Sequence, residues 1–250
     1  MIYRNTYKLL LVLILSLFAC YSVNAQVMPP GNLIVTTACT INHGHTVDEV
    51  IRVARAIDSS GEGGPNLVFY RRPIAGANFP SDLIMRVIYW DDMAHWASAG
   101  GAPPSGPRSY LSDMLSCDTV NRTFSTNRNV GQGAAYAGGE NTESLVATRN
   151  CRIKPGNTLE QLYFGLLELN APYGQQGDTT LMQLSQRIMG PREGVEMGQD
   201  VIIRLIGEDA VGLAERIDMS PSPAGTPADA PVENCRDWAL WQSYVTHWGL

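Results

Sequence analysis

The stretch CTINHGHTVDEV, Cys39 to Val50, decides how this chain is read, because CRIKPGNTLEQL, Cys151 to Leu162, repeats it. Both follow the pattern C-x-I-x-x-G-x-T-[VL]-[DE]-x-[VL], at an offset of 112. A second pair, DLIMRVIYWD from Asp82 and DVIIRLIGED from Asp200, recurs at an offset of 118, as do Cys117 and Cys235. Two near-equal offsets, separated by one short insertion, mark an internal duplication.

Each copy has a readable order. Leu33 to Ile41 is β-branched and Thr-rich, which predicts a strand. Gly44 turns the chain, and Thr46 with Glu49 predicts a capping box in which each residue satisfies a free N–H of the other. Thr158 with Gln161 repeats it. Apolar spacing then continues helically through Val47, Val50, Ile51 and Ala54, and through Leu159, Leu162 and Leu166. Strands are predicted over Asn66 to Ile74 and Leu83 to Trp90, a short helix from Asp91 or Asp92 through Trp96, and a last strand opened by Cys117. The second copy predicts strands over Thr180 to Met189, Val201 to Ile206 and Asp237 to Trp248, with a helix from Glu208 to Ile217. Loops fall at Ala99 to Pro107 and Pro221 to Pro231.

This βαββαβ order, run twice, resembles the ferredoxin-like unit, an α+β fold. That resemblance places the first and last strands side by side and antiparallel. Of the three pairings open to Cys39, Cys117, Cys151 and Cys235, it then selects Cys39–Cys117 and Cys151–Cys235. Each bridge closes a loop of about 80 residues, worth roughly 4 kcal/mol in the chain-entropy account. A zinc site is the rival reading, and the spacing lacks the close C-x-x-C pairs it needs. No metal is expected.

The ends and the charge set the compartment. Arg4 and Lys8, the apolar run Leu9 to Ala19 and the small residues Val23-Asn24-Ala25 predict a signal peptide over residues 1–25. Leu17-Phe18-Ala19-Cys20 is similar to a lipoprotein signal, with Cys20 as lipid anchor, but Phe18 departs from that pattern. The expected location is periplasmic or secreted, with no transmembrane segment. The expected units are a first repeat over 26–130, a linker over 131–140 and a second repeat over 141–250. The mature chain holds sixteen basic and twenty-four acidic residues, a net −8, which argues against nucleic acid as a partner.

Two fused ferredoxin-like units look like the dimeric α/β-barrel superfamily, which includes antibiotic-biosynthesis-monooxygenase-like and stress-responsive barrel proteins. The duplication would stand in for a homodimer. The C-x-x-x-x-G-x-T helix start is also similar to uncharacterised exported proteins of Gram-negative bacteria. The superfamily resemblance is one of topology and brings no catalytic motif onto these residues.

The candidate residues follow from asymmetry between the copies. Trp90, His95 and Trp96 form an aromatic cluster where the second copy has Gly207, Gly212 and Ala214, so they are candidate ligand-binding residues as well as candidate core. Arg86 and Arg204 recur in matched apolar strands, either facing a cavity that holds an acidic ligand or serving the scaffold. His43 and His45 form H-x-H on a turn and read as solvated, because no third ligand is near in sequence. No G-x-S-x-G, H-E-x-x-H, P-loop or G-x-G-x-x-G appears. The first expectation is therefore a binding or interaction protein without catalysis or cofactor, its partner a small molecule or protein. The alternative is a cofactor-independent monooxygenase-like or haem-binding enzyme of the barrel class, acting through His95 or Trp96.

Overall fold

The two quoted segments fold alike. In a computed structural model, which describes residues 27–249 apart from 58, 77, 100–106, 134, 136–138, 140–141, 192–197 and 220–229, both capping boxes are formed. The Glu49 N–H donates to Thr46 Oγ1 at 3.3 Å and the Thr46 N–H donates to Glu49 Oε2 at 2.8 Å. The Gln161 N–H and the Thr158 N–H do the same at 3.1 and 2.7 Å. Gly44 and Gly156 both take positive φ, 90° and 85°, a conformation that favours glycine. The predicted signal peptide, Cys20 and much of the predicted linker and loops lie outside the described residues.

In chain order the elements are β1 (Asn32–Ile41), α1 (Val47–Arg55), β2 (Leu67–Ala75), β3 (Leu83–Trp90), α2 (Met93–Ser98), α3 (Pro107–Met114), β4 (Leu115–Cys117) and β5 (Thr123–Val130). The second half follows with β6 (Glu143–Ile153), α4 (Leu159–Gln175), β7 (Leu181–Met189), β8 (Asp200–Ile206), α5 (Ala210–Met219), β9 (Val232–Glu233) and β10 (Ala239–Trp248). No described helix is long and apolar enough to cross a membrane.

All strand pairs are antiparallel. The long strands of the first half lie in the order β2-β3-β1-β5, and those of the second in the order β7-β8-β6-β10. β5 pairs β7, and β10 pairs β2, so the sheet closes on itself. Its interior is packed by Ile34, Phe69, Val87, Tyr89, Val146, Leu181, Ile206, Trp241 and Val245. The helices cover the outside. Val50, Ile51 and Ala54 of α1, with Leu111 and Leu115, pack on Tyr70 and Ile84. Leu162, Tyr163 and Leu166 of α4 pack on Leu184, Val201 and Ile203. Burying each large apolar side chain in these layers contributes roughly 1.5–3 kcal/mol.

Both disulfides pair as expected, Cys39–Cys117 and Cys151–Cys235. Their setting is different. Cys117 does not open the last strand: it ends the short β4, directly opposite Cys39, and the last strand starts at Thr123. β9 has the matching place before Cys235. Strands of three and two residues leave no period to read, so neither was anticipated, and α3 was missed with them.

The second repeat match is out of register by one residue. Cys39 pairs Ile84, whereas Cys151 pairs Val201, so the strands correspond at an offset of 117, not 118. A one-residue slip turns every side chain to the opposite face. Arg86 therefore lies on the outer face, matched to Ile203, while Arg204 points into the barrel, matched to Val87. There Arg204 donates to the Ser185 hydroxyl, which donates to Asn127 Oδ1. The two arginines are not equivalent positions of one scaffold.

Candidate functional site

The outer face of the first half carries one polar row beneath α1. Register places Thr37 of β1, Arg86 of β3, Tyr70 of β2, Tyr244 of β10 and Glu143 of β6 side by side across five strands. Thr37 and Tyr70 are each 2% exposed, and Tyr244 is 9% exposed. Arg86 hydrogen-bonds the Tyr70 hydroxyl. Its Nε–H is buried and meets no acceptor.

The row opens to solvent at its Tyr244 end. A cleft of about 310 Å³ lies there, lined by Asp48, Ile51, Arg52 and Arg55 of α1 with Glu143 and Tyr244. The cleft is composite, since its roof belongs to the first half and Glu143 and Tyr244 to the second. Arg55 ties the two together, donating through Nε to the Val245 carbonyl at 3.2 Å and through a terminal nitrogen to the Thr142 carbonyl at 3.5 Å. Two strand spacings, roughly 10 Å, separate Tyr244 from Arg86.

Electrostatics keep both tyrosines neutral. Burial pushes the Tyr70 hydroxyl above its ordinary 10.0, against the opposing pull of Arg86. Burial and then Glu143 push Tyr244 the same way. A neutral phenol donates a hydrogen bond, and a guanidinium beside it holds a negative oxygen, so the row can bind and stabilise an oxyanion.

The four candidate ligand residues do not gather in one place. Arg86 belongs to the row under α1. Trp90 ends β3, and His95 and Trp96 belong to α2, with Trp90 and Trp96 packed on Leu33, Val35 and Phe124. Trp96 meets Phe124 edge-on at 4.9 Å, and Trp90 meets His95 edge-on at 5.2 Å. His43 and His45 line a larger cleft, about 550 Å³, around the start of α1. It is wide open, and His45 lies 3.9 Å from the Glu49 carboxylate. No third metal-ligating side chain joins them among the described residues. Tyr70 and Tyr244 were missed. Alternation along β2, with Tyr70 facing opposite to Phe69, was the available signal. Their meeting depends on the closure of the barrel, which no local pattern announces.

No protein-family model and no curated protein matches the sequence. Solved structures do match the fold. A proposed monooxygenase from Lactobacillus acidophilus NCFM is 9% identical, with 88% of this chain and 95% of that chain covered, at a TM-score of 0.52. An anthrone oxidase-like protein is 12% identical over 88% and 95% of the two chains, at 0.46. A proposed monooxygenase from Fusobacterium nucleatum is 10% identical over 88% and 94%, at 0.45. The architecture is thus a mixed α/β fold, a closed antiparallel sheet covered by helices, that the first of these structures shares. The first expectation from the sequence, a binding or interaction protein without catalysis, is corrected: the fold is one that a proposed monooxygenase shares, which fits the alternative reading better.

Proposed function

We propose that the chain is a cofactor-independent, monooxygenase-like enzyme that oxidises a small hydroxylated aromatic compound bound in the cleft under α1. On this reading residues 26–130 and 141–250 are tandem ferredoxin-like units, and the duplication replaces the two subunits of a dimer. The observation that carries the reading is a polar row, with buried Tyr70 beside half-buried Arg86, that ends at an open cleft lined by Tyr244. The shared fold supports it at the level of architecture only.

The chemistry needs an electron-rich anion, because an aromatic oxyanion gives an electron to dioxygen far more readily than its neutral form. Tyr244 lines the cleft, and its neutral hydroxyl would donate to that oxyanion as it forms, with the Arg86–Tyr70 pair behind it in the row. Asp48 and Glu143 are the carboxylates at the mouth, placed to accept the proton. Arg52 and Arg55 add positive charge at the same opening.

A haem does not fit these residues. The cleft lining offers neither histidine nor cysteine. His95 lines neither this cleft nor the larger one at the start of α1. No step is routed through such a group.

Oxygen uptake by the purified, disulfide-bonded protein, measured over a panel of polyhydroxylated aromatics, tests the proposal. Tyr244→Phe is expected to lower kcat roughly a hundredfold, the reach of one oxyanion contact, and Arg86→Met and Tyr70→Phe, further along the row, about tenfold. A protein inert to the whole panel, or variants as active as the parent, would sink it.

A further inference from the structure

We propose that Trp90, His95 and Asp91 form a second site, at the start of α2, that takes a phenolic hydroxyl. The first observation is an unmet donor. Trp90 is 7% exposed, and its indole Nε1 is buried with no hydrogen-bond acceptor. A buried N–H left without a partner is expensive, and such groups in folded proteins call for an explanation.

The second observation is an oriented imidazole beside it. His95 stands edge-on to Trp90 at 87° between planes. Its Nδ1 lies 3.1 Å from Asp91 Oδ2, while Asp91 Oδ1 accepts from Asn66 Nδ2 at 2.8 Å. The Asp91 backbone N–H is farther from Nδ1, at 3.4 Å. Donation from Nδ1 to the carboxylate is the shorter contact, and it leaves Nε2 with a free lone pair. An indole donor and an imidazole acceptor together suit a hydroxyl, which accepts from one and donates to the other. The surrounding Ile88, Met93 and Trp96 are apolar, so the hydroxyl belongs on an aromatic ring. A carboxylate lacks the proton for Nε2, and an ammonium lacks the acceptor for the indole.

The second half is a built-in comparison. At the structural offset of 117, Asp92 and His95 match Asp209 and Gly212, and both pairs make the same helix cap, at 2.8 Å. Trp90 matches Gly207, where an added Cβ would lie 2.1 Å from the Asp209 carbonyl and 3.0 Å from Leu213. There α5 closes onto the sheet and leaves no room for a side chain. In the first half the same corner holds an indole and an imidazole. This site stands four residues along β3 from Arg86, roughly 13 Å, and does not depend on the oxidation proposed above.

The test is a titration of ¹⁵N-labelled protein with phenol, following the indole N–H resonances, with Trp90→Phe to assign one of them. The Trp90 resonance is expected to move saturably with phenol and not with toluene. His95→Phe keeps a ring against Trp90 but removes the lone pair, and should weaken phenol binding about tenfold, the loss of one hydrogen bond. Arg86→Met should leave it unchanged, even as it lowers oxygen uptake. A Trp90 resonance that stays still up to the solubility of phenol, or moves equally with toluene or in His95→Phe, overturns the site.

Discussion

The two halves share a strand order and a capping box, yet they differ in what lies under the first helix. In the first half the outer row reads Thr37, Arg86, Tyr70, Tyr244. In the second, the same register reads Arg149, Ile203, Leu184, Arg128. The central pair is polar in one and apolar in the other. Leu184 is fully buried beneath α4, which has 17 residues against 9 in α1. One half thus closes an ordinary core, while the other keeps a polar track and a cleft at the same place. The lesson is that two halves of like strand order can bury different side chains at the same register.

Exchanging the central residues should break this comparison most severely. Ile203→Arg would bury an uncompensated charge under α4 and is expected to cost more than about 4 kcal/mol, or to prevent folding. The reverse exchange, Arg86→Ile with Tyr70→Leu, removes both polar partners together. It should change stability by no more than about 1 kcal/mol while abolishing oxygen uptake. Urea unfolding of both variants checks the pair, and a first half as intolerant as the second would end the distinction.

The disulfides should then show where the halves are alike. They span 78 and 84 residues, and loop entropy depends only on the logarithm of that length. Replacing either pair by serine should cost roughly 4 kcal/mol or less, with nearly equal loss in each half. Differential scanning calorimetry of the two double variants gives the comparison directly.

Smaller still are the caps. Thr46→Ala and Thr158→Ala remove identical hydrogen bonds and should each cost about 1 kcal/mol. A clear inequality between them would show that the two helices rest on their starts differently.

The least effect concerns pH. Burial raises Tyr70 above its ordinary 10.0. Above pH 10 the unfolded tyrosine loses its proton before the folded one. Stability is therefore fully present below that pH and falls as pH rises toward the folded-state value. Tyr70→Phe should flatten this decline in urea unfolding between about pH 9 and 11.

Much of this frame was legible before folding. The span Leu83 to Trp90 reads as β3 because both alternating faces are apolar, and the T-x-x-[EQ] signatures read as helix starts because their hydrogen bonds are local. The disulfide partners followed from the resemblance to a ferredoxin-like unit, although Cys117 sits on a short strand that was not expected. The site was less legible. Arg86 was singled out, but on a recurrence with Arg204 that the register dissolves. Trp90 and His95 were found together by their absence from the second copy. Tyr70, Tyr244 and Glu143 come from three strands and both halves, and no spacing along the chain connects them.

By itself, then, the sequence determined the repeated pattern, the helix starts and most strands, because those depend on neighbours a few residues away. Only the tertiary structure decided which face each side chain takes and what stands beside it. A single residue of register, set by how β3 pairs β1 and how β8 pairs β6, puts Arg204 inside and Arg86 beside Tyr70. That choice is made by long-range packing, which the chain does not state locally.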